Sequence, residues 1–191
     1  MSTCFTLEAG DGAARAGDGD SIGINDVYGG NWETAVRYGA QVPKQEPTLV
    51  VSAMASVTEH LGFGITSNAN FESPYVFARR MSSLDNLTDG RVGWNIVTGF
   101  ASTASRALGQ GNVIPHDQRY DIADEYMEVV YKLWEGSWAD DAVLRDVASG
   151  EFANPARVRK IRHNGQYFQL EGVHLTEPSP QRTPVLFQAG A

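Results

Sequence analysis

The chain has 191 residues, 42% of them hydrophobic and 20% charged, a composition typical of a globular domain and not of a disordered or fibrous chain. Its formal net charge of −8 argues against a nucleic-acid partner, because phosphate binding needs clustered Lys and Arg. The single cysteine, Cys4, excludes a disulfide framework, and the lack of a long apolar stretch or signal-peptide pattern predicts a cytoplasmic protein with no membrane partner.

The first 25 residues differ from the rest of the chain. They contain runs of Gly and Asp such as Gly10-Asp11-Gly12 and Gly17-Asp18-Gly19-Asp20, and their apolar periodicity is weak. A segment of this kind buries too little apolar surface to offset the entropy lost on ordering. We therefore predict a flexible leader over 1–25, followed by one folded domain over 26–191.

From residue 26 onward, segments with helical apolar spacing alternate with short apolar runs typical of buried strands. The pattern predicts helices over 46–61, 74–87 and 121–138 and strands over 63–67, 92–98 and 184–188. Residues 139–160 are expected to form a long connection. Residues 161–170 are expected to form a small hairpin that turns at Asn164-Gly165.

This alternation of helix and strand predicts an α/β fold with parallel strands. We expect the three strands to be adjacent in chain order, because a βα unit returns the chain beside its starting strand. The last predicted strand lies directly before Ala191, where a βα unit would continue into its helix. We therefore expect the chain to be either a fragment of a larger barrel or a gene product cut short.

Polar side chains gather at the predicted carboxyl ends of the strands, where ligands bind in parallel α/β folds. They are Thr66, Ser67, Asn68, Asn70, Asn95, Thr98 and Gln188. This accumulation is consistent with a ligand pocket, and ordinary loop capping is the competing interpretation.

His116 and Tyr120 form a second candidate site, directly before the strongest helical pattern. They are four residues apart, so they share a face if the helix begins at or before His116. An imidazole and a phenol on one cleft suit a ligand with a flat ring and hydrogen-bonding edges. A surface histidine beside a core tyrosine is the alternative that spacing leaves open.

Sequence signatures of several other enzyme classes are missing: GxGxxG, GxxxxGK[ST] and HExxH do not occur. The four histidines, His60, His116, His163 and His174, include no closely spaced ligand pair. We therefore expect no metal site.

Beyond residue 25, the sequence resembles that of the bacterial-luciferase-like superfamily. It is most similar to the group of nitrilotriacetate monooxygenase component A and dibenzothiophene-sulfone monooxygenase. The matching segments are DVYGG (26–30), AMASVTEHLGFGIT (53–66), FARRMSSLDNLTDGRVGWNIVT (77–98), HDQRYDIADEYMEVVYKLWEGSW (116–138), GEFANPARVRKIRHNGQYF (150–168) and PSPQRTPVLFQAGA (178–191).

The resemblance implies a TIM (β/α)8 barrel and a two-component flavin monooxygenase. In such a system an NAD(P)H:FMN reductase supplies reduced FMN, which reacts with O2. The C4a-peroxyflavin that results inserts one oxygen atom into a small organic substrate. The identity of that substrate does not follow from the resemblance, and a homo-oligomer is left open.

The resemblance also implies the flavin contacts. The strand-end threonine of the family matches Thr66, and the His and Tyr of its HDxRY motif match His116 and Tyr120. An aspartate shortly before the DVYG-like segment matches Asp20, although the apolar strand that precedes it in the family is replaced here by Gly, Asp and Ala. The family's phosphate-binding serine follows the AGA segment, which here is residues 189–191.

The resemblance therefore covers a partial barrel that lacks the first strand and the C-terminal half. Two alternatives to an FMN-dependent monooxygenase stay open at this point. One is a deazaflavin-dependent oxidoreductase of the same superfamily, which the DVYGG and HDQRY segments disfavour. The other is a non-catalytic fragment that needs a partner chain.

Overall fold

The structure is a computed structural model, and it describes residues 13–16, 32–39, 45–99, 102–109, 111–112 and 114–188. Five α-helices fall within these ranges: α1 Trp32–Tyr38, α2 Pro47–Ala55, α3 Pro74–Thr88, α4 Ser102–Ala107 and α5 His116–Tyr131. A π-helical turn, Lys132–Gly136, continues α5, and Pro155–Arg157 form a short 3-10 helix.

Eight strands are described. They are β1 Ala13–Ala16, β2 Gly62–Asn68, β3 Val92–Val97, β4 Val143–Asp146, β5 Glu151–Ala153, β6 Ile161–Asn164, β7 Gln169–Gly172 and β8 Val185–Phe187.

The main sheet contains four parallel strands in the order β1-β2-β3-β8. Thr66 of β2 pairs with Asn95 of β3, and Trp94 pairs with Leu186 of β8. The predicted parallel, adjacent arrangement of the three later strands is therefore confirmed. Helix α3 connects β2 to β3, and the crossover from β3 to β8 contains α4, α5 and both small hairpins.

Strand β1 lies inside the segment that we expected to be a flexible leader without a barrel strand. Its four residues, Ala13–Ala16, pair in parallel with β2 from Gly62 to Ile65. Pairing of this kind uses only backbone N–H and C=O groups. A strand at the edge of the sheet can therefore form without the run of apolar residues by which we identified strands in the sequence. The flexible leader over 1–25 stays a prediction.

The observed ends of two helices differ from the predicted ones. Helix α2 ends at Ala55, not at 61, because the hydroxyls of Ser56 and Thr58 donate to the carbonyl oxygens of Ala53 and Met54. Helix α5 begins at His116, five residues earlier than predicted. Pro115 tolerates this start because the first residues of a helix need no N–H bond within it.

The segment 139–160 is not a plain connection. It contains the antiparallel hairpin β4–β5 and the short 3-10 helix. The carboxylate of Asp146 accepts the backbone N–H of Ala148 and the hydroxyl of Ser149, which stabilises the turn between the strands. Such a turn has too little apolar periodicity to be visible in the sequence.

The predicted second hairpin exists as β6–β7, but its turn differs from the prediction. Asn164 pairs with Gln169, so the loop contains four residues, 165–168, instead of turning tightly at Asn164-Gly165. A type I′ turn needs positive φ at both central residues, and neither Asn164 nor Gly165 has it. The reason lies outside the hairpin, because the carboxylate of Glu125 on α5 binds the loop's backbone N–H groups.

The hydrophobic core lies between one face of the sheet and helices α3 and α5. Phe63, Ile65, Val92 and Trp94 project from the strands toward the helices. The helices contribute buried apolar side chains in return: Phe77, Met81 and Leu84 from α3, and Tyr126, Val129 and Val130 from α5. Since successive strand residues point to opposite faces, the alternate residues of β2 and β3 form the other face of the sheet.

Candidate functional site

The face of the sheet that points away from the helices carries a polar pair near the carboxyl ends of β2 and β3. Thr66 and Asn95 are paired in register, and the Nδ2 of Asn95 donates to the Oγ1 of Thr66 at 3.1 Å. Both side chains are 5% exposed. We call this face the inner face; it comprises Gly64, Thr66, Gly93, Asn95 and Phe187.

The Thr66–Asn95 pair has unused hydrogen-bonding capacity. The Oδ1 of Asn95 is buried and has no partner among the described residues. The Thr66 hydroxyl accepts from Asn95, so its own hydrogen remains available for a second group. A buried acceptor without a donor costs about 1–3 kcal/mol, and a ligand that carries both an N–H donor and an acceptor would remove that cost.

His116 and Tyr120 share one face of the first turn of α5. Their ring centroids are 4.9 Å apart, with an interplanar angle of 46°. Sequence spacing places the two residues on one face only if the helix begins at or before His116, and α5 begins at His116. The Tyr120 side chain is 38% exposed, so it is not the core residue of the alternative interpretation.

The first turn of α5 is tied to the carboxyl end of β3. The guanidinium of Arg119, which lies between His116 and Tyr120 in the sequence, donates to the carbonyl oxygen of Gly99. The Nδ2 of Asn70, which follows β2, donates to the carbonyl oxygen of Thr98 at 2.6 Å. These contacts hold the start of α5 and both strand ends at one edge of the sheet. Convergence of Thr66, His116 and Tyr120 on a single ligand remains a prediction.

Asp20, the fourth residue that the resemblance implies, lies outside the described residues. Sequence reasoning also missed two features of the site. Asn95 was noticed as one strand-end residue among several, and its register with Thr66 is visible only once the strands are paired. Arg119 stands inside the HDQRY motif, but nothing in the motif shows that its partner is Gly99.

A charged cluster lies apart from this edge, where α5 packs against the β6–β7 hairpin. The Glu125 carboxylate accepts the backbone N–H groups of Gln166, Tyr167 and Phe168 and faces the Nε2 of His163 at 3.0 Å. Burial raises the pKa of Glu125, but the hydrogen bonds from Phe168, His163, Tyr167 and Gln166 outweigh it and leave the pKa below its ordinary value. The cluster holds the hairpin on the helix.

A buried histidine, His174, lies behind α3. Its Nε2 is 3.0 Å from the hydroxyl of Ser82, its Nδ1 has no partner among the described residues, and 2% of its surface is exposed. Burial and, secondarily, the charge of Arg79 lower the pKa of His174 to about 4. The imidazole is therefore neutral in the folded chain at pH 7.

We expect the free energy of unfolding to fall as the pH drops from about 6.5 to about 4. In this range the His174 imidazole binds a proton in the unfolded chain but stays neutral in the folded chain. The loss should be about 2–3 kcal/mol across that window, with no further change from this group at lower pH. Urea unfolding at a series of pH values measures it. The variant His174→Asn should lack this loss of stability between pH 6.5 and 4. If its stability depends on pH in the same way as that of the parent chain, His174 is not the cause of the loss.

Two kinds of feature are absent from the described residues. No helix in the described ranges is long and apolar enough to cross a membrane. No group of three or more His, Cys, Asp or Glu side chains in those ranges is arranged to hold a metal ion.

Comparison with known proteins gives consistent matches. The family model described as luciferase-like monooxygenase matches residues 22–191. Dimethyl-sulfide monooxygenase from Hyphomicrobium sulfonivorans is 55% identical over 172 residues, which are 90% of this chain and 36% of that protein. The crystal structure of a long-chain alkane monooxygenase superposes with a TM-score of 0.85 at 50% identity, over 93% of this chain and 41% of the other.

A third match is a protein solved with a bound flavin. The crystal structure of a riboflavin lyase with modified FMN and its substrate riboflavin superposes with a TM-score of 0.79 at 46% identity, over 93% of this chain and 38% of the other. The chain thus spans between about a third and two fifths of the length of these proteins. The open parallel sheet described above is accordingly part of a TIM-type barrel, and the chain belongs to the family of luciferase-like, flavin-dependent monooxygenases.

Proposed function

We propose that this chain forms the flavin-binding part of a monooxygenase that uses reduced FMN and O2 to insert one oxygen atom into a small organic substrate. The observation that carries the proposal is the Thr66–Asn95 pair on the inner face. It combines a free hydroxyl hydrogen with a buried, unpaired carbonyl oxygen. The edge of an isoalloxazine ring offers the complementary groups, carbonyl oxygens beside a ring N–H. Membership of the family supports the same assignment.

Each candidate residue would have a distinct role in binding the flavin. Thr66 and Asn95 hold the polar edge of the flavin and orient it on the inner face. His116 and Tyr120, on the first turn of α5, provide a second polar and aromatic contact, and Asp20 is a further contact that the resemblance implies. When bound, reduced FMN supplies the electrons that activate O2, and the chain's task is to bind, orient and exclude water.

The partners follow from that chemistry. An NAD(P)H:FMN reductase would deliver reduced FMN, as the resemblance to two-component systems implies. The substrate would be a small organic molecule. The names of two proteins that are at least 50% identical to this chain specify different substrates, a dimethyl sulfide and a long-chain alkane. The residues shared with both are therefore better candidates for binding the flavin than for selecting the substrate.

The test is an anaerobic titration of the purified chain with FMNH2. We expect saturable binding, and we expect Thr66→Val and Tyr120→Ala each to weaken it about tenfold, because each removes a hydrogen bond to the flavin. Thr66→Ser keeps the hydroxyl and should bind nearly as well as the parent chain.

Two matched controls separate binding from folding. Ser67 lies next to Thr66 on the opposite face of β2, so Ser67→Ala should leave the affinity unchanged. Tyr131 is on the same helix as Tyr120 and is similarly exposed, at 40% against 38%, so Tyr131→Ala should also bind normally. A parent chain without saturable FMNH2 binding would refute the proposal.

A further inference from the structure

The inner face carries one large aromatic side chain beside the polar pair. Phe187 of β8 is paired in register with Asn95, and its ring lies against Gly64 and Gly93. A Cβ atom built on Gly93 would lie 3.2 Å from Phe187 Cε1, and one built on Gly64 would lie 2.9 Å from Phe187 Cζ. The ring therefore crosses β3 and reaches β2.

Two glycines make this position of the ring accessible. Gly64 and Gly93 are paired in register and each lies two residues before a member of the polar pair, Thr66 or Asn95. Any side chain at either position would occupy the space of the ring. Two residues of a strand span about 7 Å, so the two glycines lie roughly that far from the polar pair on the same face.

The ring also keeps an accessible surface. Phe187 is 39% exposed, whereas Trp94, the aromatic residue on the opposite face of the sheet, is fully buried. The inner face thus presents an apolar plane next to a hydrogen-bonding pair that has spare capacity. A flat ligand with one polar edge and one apolar end matches both parts.

We propose that Phe187, seated on Gly64 and Gly93, forms the floor of the cofactor site and sets how far a flat ring system can enter along the inner face. This inference rests on the proposed binding of FMN at Thr66 and Asn95. The glycines act only by leaving room for the ring. The floor places the apolar part of the flavin while the polar pair holds its hydrogen-bonding edge.

The first experiment removes the ring. We expect Phe187→Ala to weaken FMN binding about five- to tenfold, the loss typical of one aromatic contact, and Phe187→Leu to fall between that variant and the parent chain. The visible absorption bands of bound FMN should shift toward those of free FMN, because water replaces the ring. Circular dichroism of each variant checks that the sheet is intact.

The second experiment displaces the ring without removing it. A methyl group in Gly64→Ala would contact the end of the Phe187 ring, which can swing away, so the fold should survive and FMN binding should weaken. In the Phe187→Ala background the same substitution should cost nothing, because no ring is present to be displaced. Gly172→Ala is the matched control, since Gly172 also lies in a strand and a Cβ there meets nothing within 4 Å.

The outcomes separate the inference from the proposal beneath it. A parent chain that binds neither FMN nor FMNH2 would refute the proposed function, and the inference with it. Normal binding by the parent chain and unchanged binding and spectrum in Phe187→Ala would refute only the inference. An equal loss from Gly64→Ala in both backgrounds would show that the methyl acts on something other than Phe187, which would also overturn it.

Discussion

Replacing Trp94 by Ala is expected to lower the free energy of unfolding by about 3–5 kcal/mol, a large part of the 5–15 kcal/mol that typically holds a domain together. Trp94 is fully buried, and its ring centroid lies 4.4 Å from that of Phe77, 6.1 Å from Tyr126 and 6.4 Å from Trp134. Its indole N–H also donates to the carbonyl oxygen of Ser67 at 2.9 Å. The three neighbouring rings are themselves buried, so the substitution is expected to leave a cavity.

Urea unfolding followed by circular dichroism measures the loss, and the melting temperature should fall by roughly 10 °C. Trp94→Phe should lose less, because a ring remains and only the indole hydrogen bond and part of the volume disappear. Leu87→Ala, at a site 66% exposed on α3, is the control for a side chain outside the core. A Trp94→Ala variant no less stable than Leu87→Ala would mean that the core is not organised around this ring.

Replacing Glu125 by Ala is the second change with a large expected effect, about 3–5 kcal/mol. The substitution removes the acceptor of three backbone N–H groups in the 165–168 loop and the partner of His163, whose side chain is 5% exposed. Removing this acceptor is costly because each buried donor left without a partner keeps its desolvation penalty, about 1–3 kcal/mol. Amide hydrogen exchange of residues 166–168 should accelerate in parallel.

Glu125→Gln adds a dependence on pH to this test. The pKa of Glu125 is lowered in the fold, so the stability that the carboxylate contributes is present above its ordinary value of 4.5 and is lost as the pH falls through the lowered value. The difference in stability between the parent chain and Glu125→Gln should therefore be full at pH 7 and shrink below about pH 4.5. Glu128→Ala, at an exposed carboxylate one turn along α5, should change little.

The main parallel strands and helices could be predicted from the chain alone, because they follow from local physical chemistry. The 3.6-residue spacing of apolar side chains predicted α3 and most of α5, and the short apolar runs predicted β2, β3 and β8. Their parallel pairing followed from the alternation itself. The shared face of His116 and Tyr120 followed from a spacing of four residues, once the start of α5 was known.

Contacts between residues distant in the sequence determine the hairpin loop, strand β1 and the arrangement of the inner face. The loop of the β6–β7 hairpin adopts its four-residue form because Glu125, about 40 residues away, binds its N–H groups, and this outweighs the local preference of Asn164-Gly165 for a tight turn. Strand β1 exists through backbone pairing that its composition does not reveal. The unpaired Oδ1 of Asn95 and the position of the Phe187 ring over Gly64 and Gly93 both depend on the register across three strands. Register and long-range hydrogen bonds are properties of the packed chain, and for that reason no local pattern in the sequence encodes them.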